Sequence, residues 1–482
     1  MTFTPDSVAA LQARLLADAL RLAPEAVLVA AIVALLLLRM LAPRLHPGAV
    51  ALAAAFVACA SVAGPHLELW PRPDFGPAFT GLLHLDAFAL HLRTVLAGFL
   101  LLLVGLTRVT GLPDAEDAAD FYVLAFGAVL GMMLMTTASH FLTVFLAVEM
   151  ASLPGYALAG FLKGRRGAGE AAMKYVLFGA AASGVMLYGI SLLAVAGGAV
   201  GAGVGAGAGV VPLVGWLFVA VGVLFKLGVV PLHFWLPDVL EGSSAEVAAL
   251  LATASKIGAV GLAARLLTTA PADDAVRWGL IAVAAASMTF GNLLAFRQTN
   301  LKRLLAYSTV AHAGTLTMAL STRQAADSLL LYAAAYALMN LGAFAAVALV
   351  RNATGSEDVS ALRGLGRRSP LVAAGFAACV ASLLGLPPFA GFAAKFLVYR
   401  DTYAAGQDFL GTRPALGAAY LALLAVGVVN QVLSAGYYLK LLRVAFFDDA
   451  PPAAGETPEA GGGLMILIAA LLVALGLGWG QL

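Results

Sequence analysis

The sequence predicts an all-α, polytopic membrane protein, on three observations. Its 482 residues are 62% hydrophobic and only 11% charged, whereas a soluble domain is about a quarter charged. Apolar runs near the ~20 residues that cross a ~30 Å hydrocarbon core recur from one end to the other. Two of those runs, five apart in order, are interrupted by proline, as in transporters built from repeats.

About 14 runs meet the bilayer-length criterion. They fall at 24–42, 48–67, 84–106, 120–137, 140–162, 171–196, 212–236, 243–268, 276–296, 302–321, 326–350, 371–398, 414–446 and 463–480. Ahead of them, "SVAALQARLLADALRL" (7–22) reads either as an amphipathic helix lying in the interface or as a frayed terminus. Arg14, Asp18 and Arg21 without a small-residue cleavage site argue against a cleaved signal.

Spans 1–3 make an N-terminal group (1–119), in which Asp86 and Arg93 are expected to pair with each other or with backbone. Spans 4–8 (120–270) and 9–13 (271–447) make two sets of five, and a last helix follows at 463–482. In span 6, Lys174 is expected to snorkel to the interface. The glycine-rich stretch 197–211 has no G-x-G-x-x-G and reads as an outside loop, and 448–462 reads as an exposed acidic loop.

In span 7, Pro231 lacks the N–H that would bond the Leu227 carbonyl, and Gly228 loosens the same turn. In span 12, Pro387 and Pro388 free the carbonyls of Leu383 and Leu384 in the same way. Irregular backbone at this depth is tolerated only inside protein or along a wet cavity. A repeat with an odd number of spans must be inverted, so two inverted five-helix repeats are expected, with spans 7 and 12 broken. The match is imperfect, because Lys226 precedes its proline while Lys395 follows Pro388. The alternate loops that carry Arg39, Lys163, Arg303, Arg351 and Arg368 hold roughly twice the Lys and Arg of the other side, which places both termini outside.

Four charges lie deep in spans: Glu149, Lys226, Lys256 and Lys395. A charge at mid-membrane costs from a few to above ~10 kcal/mol, so such residues face a cavity or a partner. Four together, two beside broken helices, outweigh snorkelling or packing pairs as an explanation. Desolvation disfavours a charged lysine and a nearby carboxylate favours it. A lysine whose carboxylate partner approaches and withdraws therefore takes up and releases a proton, and lysines in series give hand-over points. Glu149 is the expected partner of Lys226. His312 either relays protons through water or simply bonds a neighbouring group. His233 and Asp238, near the inside end of span 7, either guard an entrance or cap helices.

Other chemistries fare poorly. Cys59 and Cys379 lie in separate spans with no metal-ligand spacing around them. A net charge of +2 offers no footprint for nucleic acid.

"FKLGVVPLHFWLPDVLEG" (225–242), "NLKRLLAYSTVAHAG" (300–314) and "GLPPFAGFAAKF" (385–396), in this order, resemble the antiporter-like membrane subunits of respiratory complex I. The likeness runs from about "LAPEAVL" (22–28) to the final span. The lysine in span 12, with no long lateral helix after the last span, places it nearest the subunit-N branch. The resemblance implies two inverted five-helix repeats plus flanking helices. Glu149 then matches the family's span-5 glutamate, Lys226 its span-7 partner, Lys256 the central lysine and Lys395 the lysine near the outer exit. It implies a non-redox subunit of a proton-translocating NADH:quinone oxidoreductase in a bacterial inner membrane, without a cofactor of its own. NADH, FMN, iron–sulfur clusters and quinone would sit in partner subunits, and the neighbours would be other membrane-arm subunits and lipid. Two departures stand out: residues 1–21 precede the family's usual start, and Glu246 stands where many relatives have proline. Alternatives are a subunit of a cation/proton antiporter or membrane-bound hydrogenase, a scaffold without a pathway, or a quinone-binding enzyme. Buried charges argue against the scaffold, and the lack of an acid–base cluster in an aromatic cleft argues against the quinone site.

Overall fold

A backbone immersed in lipid must satisfy its own N–H and C=O groups, and within one segment only a helix does so. The computed structural model describes residues 5–41, 46–69, 74–114, 117–195, 210–270, 273–323, 326–450, 455 and 457–479. Its helices are α1 (Pro5–Arg21), α2 (Ala23–Leu41), α3 (Gly48–Ala63), α4 (Ala87–Thr110), α5 (Ala118–Thr137), α6 (Phe141–Ala159), α7 (Arg166–Val195), α8 (Val210–Leu227), α9 (Trp235–Gly242) and α10 (Ala245–Ala249). A single π-helical turn, Leu250–Ala254, joins α10 to α11 (Ser255–Thr269). There follow α12 (Asp274–Ala295), α13 (Leu301–Thr322), α14 (Ala326–Thr354), α15 (Leu365–Arg368), α16 (Pro370–Leu384), α17 (Ala390–Leu410), α18 (Pro414–Phe447) and α19 (Glu459–Gly478). The glycine-rich 196–209 and residues 451–454 and 456 of the acidic loop lie outside the described residues, as do Arg44 and Arg72.

Among the described residues, 11 helices are long and apolar enough to cross a membrane, with α10–α11 taken as one. α3 and α16 are apolar but shorter. α13 falls short because it carries Lys302, Arg303, His312 and several hydroxyls, yet it is buried over almost its whole length. A helix shielded by others does not need to match lipid. The count expected from apolar runs is therefore supported in part by length and hydropathy. α10–α11 and α14 are likewise almost wholly buried, whereas α2, α7 and α19 bury only about a third of their residues or less.

The sequence missed one piece of non-helical structure. β1 (Gly76–Ala78) and β2 (Leu83–Leu85) form a small antiparallel hairpin with Gly76 opposite Leu85. His84 and Leu85, assigned to span 3, belong to it. α4 begins only after Asp86, whose carboxylate accepts from the Ala89 N–H at 2.7 Å as an N-cap. The tail before α2 is helical, and the Asp18 carboxylate of α1 accepts from the Phe79 N–H at 2.8 Å.

Both broken spans stop in the same way. α8 ends with Gly228 at φ +70, where the Gly228 N–H bonds Phe225 O and the Val229 N–H bonds Leu224 O. α16 ends with Gly385 at φ +83, where the Gly385 N–H bonds Ser382 O and the Leu386 N–H bonds Ala381 O. Each is a Schellman cap, in which a left-handed glycine turns the chain out of the helix. Glycine therefore ends each first half and the proline three residues on keeps it ended, which inverts the emphasis that sequence alone suggests. This cap satisfies two of the last carbonyls and leaves the next two free: those of Lys226 and Leu227 in one break, and of Leu383 and Leu384 in the other.

Candidate functional site

A free carbonyl at a helix C-terminus carries the negative end of the helix dipole and attracts cations. Each break uses one this way. The Lys256 ammonium, from α11, donates to Lys226 O at 3.3 Å. The Lys395 ammonium, from α17, donates to Leu383 O at 2.7 Å and to Gln431 Oε1 at 2.6 Å. Lys226 and Leu383 hold the same place in their caps, two residues before the glycine. The equivalent cations are thus Lys256 and Lys395, which removes the mismatch between Lys226 and Lys395.

Lys226 itself turns away from the break. Its ammonium donates to Ser152 Oγ on α6 at 2.7 Å, and Ser152 donates in turn to Val148 O at 2.6 Å. Glu149, three residues before Ser152, does not reach Lys226 within ion-pair distance, and its buried Oε1 has no hydrogen-bond partner. The place expected for the carboxylate beside Lys226 is thus taken by a serine of the same helix.

Aromatic rings wall the first cluster. The Lys256 ammonium stands 4.9 Å from the Trp235 ring, within range of a cation–π attraction. Trp235 is stacked between Tyr175 and Phe225, at 4.5 Å and 5.1 Å, and donates its indole N–H to Phe225 O. Gly228 leaves room for this, since a Cβ there would come 3.2 Å from Lys256 Nζ.

Lys395 opens onto the second cluster, a small polar cavity whose lining includes His312, Tyr399, Asn430 and Gln431. His312 is buried between two tyrosines, with Nδ1 at 2.7 Å from Tyr332 OH and Nε2 at 3.3 Å from Tyr438 OH. The structure therefore places Lys226 and Lys256 together, and Lys395 with His312. His233 lies in the turn between α8 and α9, half-buried, with Nδ1 unbonded.

Several expected roles are corrected. Asp238 does not cap a helix: it accepts from Lys174 at 2.7 Å and from Arg303 at 2.8 Å, and Arg303 also meets Glu241 at 2.7 Å. Lys174 is held by Asp238 and Glu170, with its side chain partly exposed. Arg93 pairs not with Asp86 but with Glu25 of α2, with a 2.7 Å bond from Nε, and both side chains are buried; the expected backbone contacts are present, Arg93 donating to Arg21 O at 3.2 Å and Asp86 accepting from the Ala89 N–H. Asp86 instead meets Arg265 at 2.8 Å. Glu246 is wholly buried in the first turn of α10 and pairs with Arg351 at 3.1 Å. Sequence reasoning passed over Ser152, Gln431 and the tyrosines around His312. The adjacent amides Asn430 and Gln431 in the middle of an apolar span were a readable signal, since polar residues there usually face a cavity.

Among the described residues, no group of three His, Cys, Asp or Glu could hold a metal ion. The arrangement instead suits proton exchange: cations in series, each on a fixed acceptor, with hydroxyls and imidazole between them.

Residues 138–417 match the family model described as NADH:quinone oxidoreductase/Mrp antiporter, TM. The chain is 36% identical to NADH-quinone oxidoreductase subunit N of Anaeromyxobacter sp. (strain Fw109-5), across 95% of this chain and 93% of that one. Its structure is similar to a chain of respiratory complex I from Thermus thermophilus, with TM-score 0.80 and 33% identity, over 95% of this chain and 97% of the other. A chain of the Mrp complex from Dietzia sp. DQ12-45-1b gives TM-score 0.81 at 21% identity, covering 97% and 95%, which shows a shared fold.

Proposed function

Because the chain belongs to the NADH:quinone oxidoreductase/Mrp antiporter transmembrane family, we propose that it is a proton-translocating, antiporter-like subunit in the membrane arm of an NADH-quinone oxidoreductase. Redox chemistry in other subunits would drive it. The observation that carries this reading is the repeated device at the two breaks, where a buried lysine from another helix sits on a carbonyl exposed by a glycine cap.

Two influences act on each such ammonium. Low-polarity surroundings disfavour its charge, and the carbonyl at the helix end favours it. A small movement of the cap relative to the lysine changes their balance, so proton uptake and release follow conformation without any cofactor in this chain. Lys226 takes the first proton beside Ser152, under the influence of Glu149. Lys256 is the central station, and Lys395, with Gln431, is the last before the outside. His312 connects the two groups, and His233 stands at the turn on the approach to Lys256.

In this reading spans 4–8 (120–270) and 9–13 (271–447) are the inverted repeats, flanked by 1–119 and 463–482. Both termini face the outside of a bacterial inner membrane. The other membrane-arm subunits are its neighbours, and NADH, FMN, iron–sulfur clusters and quinone belong to partners. The antiporter reading shares the family model, but the Mrp chain is 21% identical, below the whole-chain identity with subunit N. The test is Lys395→Ala in the assembled complex, reconstituted in vesicles. Redox subunits should co-purify and protons moved per electron should fall; a wild-type ratio would remove Lys395 from the pathway.

A further inference from the structure

The helix α1 gives its charged edge to the protein and its leucines to the outside. Arg14, Asp18 and Arg21 recur at intervals of four and three, which places them on one face. The Asp18 carboxylate accepts from the Phe79 N–H at 2.8 Å, Arg21 donates to Pro77 O at 3.4 Å, and the two side chains pair at 3.4 Å. Pro77 lies in β1 and Phe79 opens the turn of the β1–β2 hairpin. On the opposite face Leu16 and Leu20, one turn apart, are 67% and 72% exposed, and Leu11 and Leu15 beside them are exposed too. Among the described side chains from Ala9 to Leu20, Asp18 alone is not exposed.

A helix of 17 residues is marginal in water unless one face is packed, and this chain leaves the leucine face of α1 open. Leucines opposite a charged edge are the pattern of a helix lying in a membrane surface. The place fits, because only Leu22 separates α1 from α2, a helix long and apolar enough to cross the membrane. Between the two the helical ladder is interrupted. Pro24 has no N–H, the Leu22 N–H bonds Ala19 O three residues back, and Arg21 O accepts from Arg93 at 3.2 Å. Such a break lets α1 leave the axis of α2. The open leucines run on into exposed apolar residues of α2, among them Val29, Val33 and Leu37. Nor does α1 hold a Trp or Tyr, the residues that most often anchor a protein interface. The hairpin supplies a separate observation. Phe79 and Thr80 at its tip take φ +49 and +60, a left-handed conformation disfavoured by a Cβ that persists only where the surroundings hold it. The carboxylate of Asp18 is one such hold.

We propose that α1 is a lipid anchor: Leu16 and Leu20 seat in the membrane surface beside the start of α2, while Asp18 on the opposite face clamps the tip of the β1–β2 hairpin. The occupant of the leucine face is the bilayer, in its outer leaflet for the orientation given above. One helix thereby ties the hairpin to the membrane surface. The inference stands apart from the proton relay and uses none of its residues.

The test uses the assembled complex in vesicles of phosphatidylcholine and phosphatidylglycerol. With p-benzoylphenylalanine in place of Leu16, illumination should add the mass of a phospholipid to this chain. In place of Arg14, on the charged face, the same probe should capture lipid several-fold less. Cross-linking from position 16 to another subunit would give the leucine face to a protein partner and overturn the anchor. Failure to capture lipid at all would overturn it too, and equal capture from both positions would overturn the seating. If the probe at position 16 prevents assembly, Leu20 takes its place. The clamp is read by hydrogen exchange at the Phe79 amide, which reports local opening. Asp18→Ala should speed exchange several-fold, as should Leu16→Glu combined with Leu20→Glu. Asp18→Asn keeps an acceptor and should stay near wild type. Wild-type exchange in Asp18→Ala would overturn the clamp. Faster exchange in Asp18→Ala with wild-type exchange in the leucine double variant would overturn the tie to the membrane.

Discussion

Lys226 shows how little of a buried charge's behaviour follows from its nearest opposite charge. Its ammonium rests on Ser152, a neutral acceptor, and not on Glu149, three residues earlier on the same helix. Leaving one member of a buried polar pair unsatisfied costs about 1–3 kcal/mol, and more for a charge. Ser152→Ala is therefore expected to lower the stability of the assembled subunit by that order and to impair pumping. Glu149→Gln should impair pumping with little loss of thermal stability, because no hydrogen bond to Lys226 is broken. A double-mutant cycle of Glu149→Gln with Lys226→Ala should show coupling; additive losses in protons per electron would mean that the two act separately.

At the scale of elements, the glycine caps decide where the breaks fall. A Cβ in the left-handed region costs about 1–2 kcal/mol. At Gly228 it would also come 3.2 Å from the Lys256 ammonium, and at Gly385 it would come 3.1 Å from Gln431 Nε2. Gly228→Ala and Gly385→Ala are expected to cost at least that strain and to reduce proton transfer at their own lysine. Alanine at Gly98, where nothing lies within 4 Å of the added Cβ, is the control for helix propensity. Equal melting temperatures for all three variants would show that the caps are not what holds the breaks open.

Across the whole molecule, ion pairs tie helices distant in sequence, and their depth sorts their strength. The Lys174–Asp238–Arg303 group joins α7, α9 and α13 but is about one-third exposed, so each pair contributes up to about 1 kcal/mol. Glu25–Arg93 is buried on both sides and Glu246 is wholly buried against a largely buried Arg351, and removing one partner from a buried pair costs roughly 3–5 kcal/mol. Glu246→Ala and Glu25→Ala should thus depress thermal stability far more than Asp238→Ala in the same detergent. Joint replacement of Glu25 and Arg93 by leucine and methionine should restore most of the loss, since apolar pairs of similar volume often do as well. Equal losses for the exposed and buried sites would refute the ranking.

The sequence by itself determined the helical membrane class, the two broken spans and the deep placement of Lys226, Lys256, Lys395 and His312. Apolar length, proline and mid-span charge are local properties, and each has a meaning in lipid that needs no partner. Which groups meet was decided only by tertiary structure. Pattern suggested Lys226 with Glu149 and Arg93 with Asp86 or backbone, yet packing gave Lys226 to Ser152 and Arg93 chiefly to Glu25. The hairpin at 76–85 escaped because strands of three residues carry no period to read. The π turn and the Tyr336 hydroxyl that donates to its Ala252 O escaped for another reason. A hydrogen bond between residues 84 positions apart depends on how α14 lies against the α10–α11 segment, and helix packing of that kind is set by the whole core.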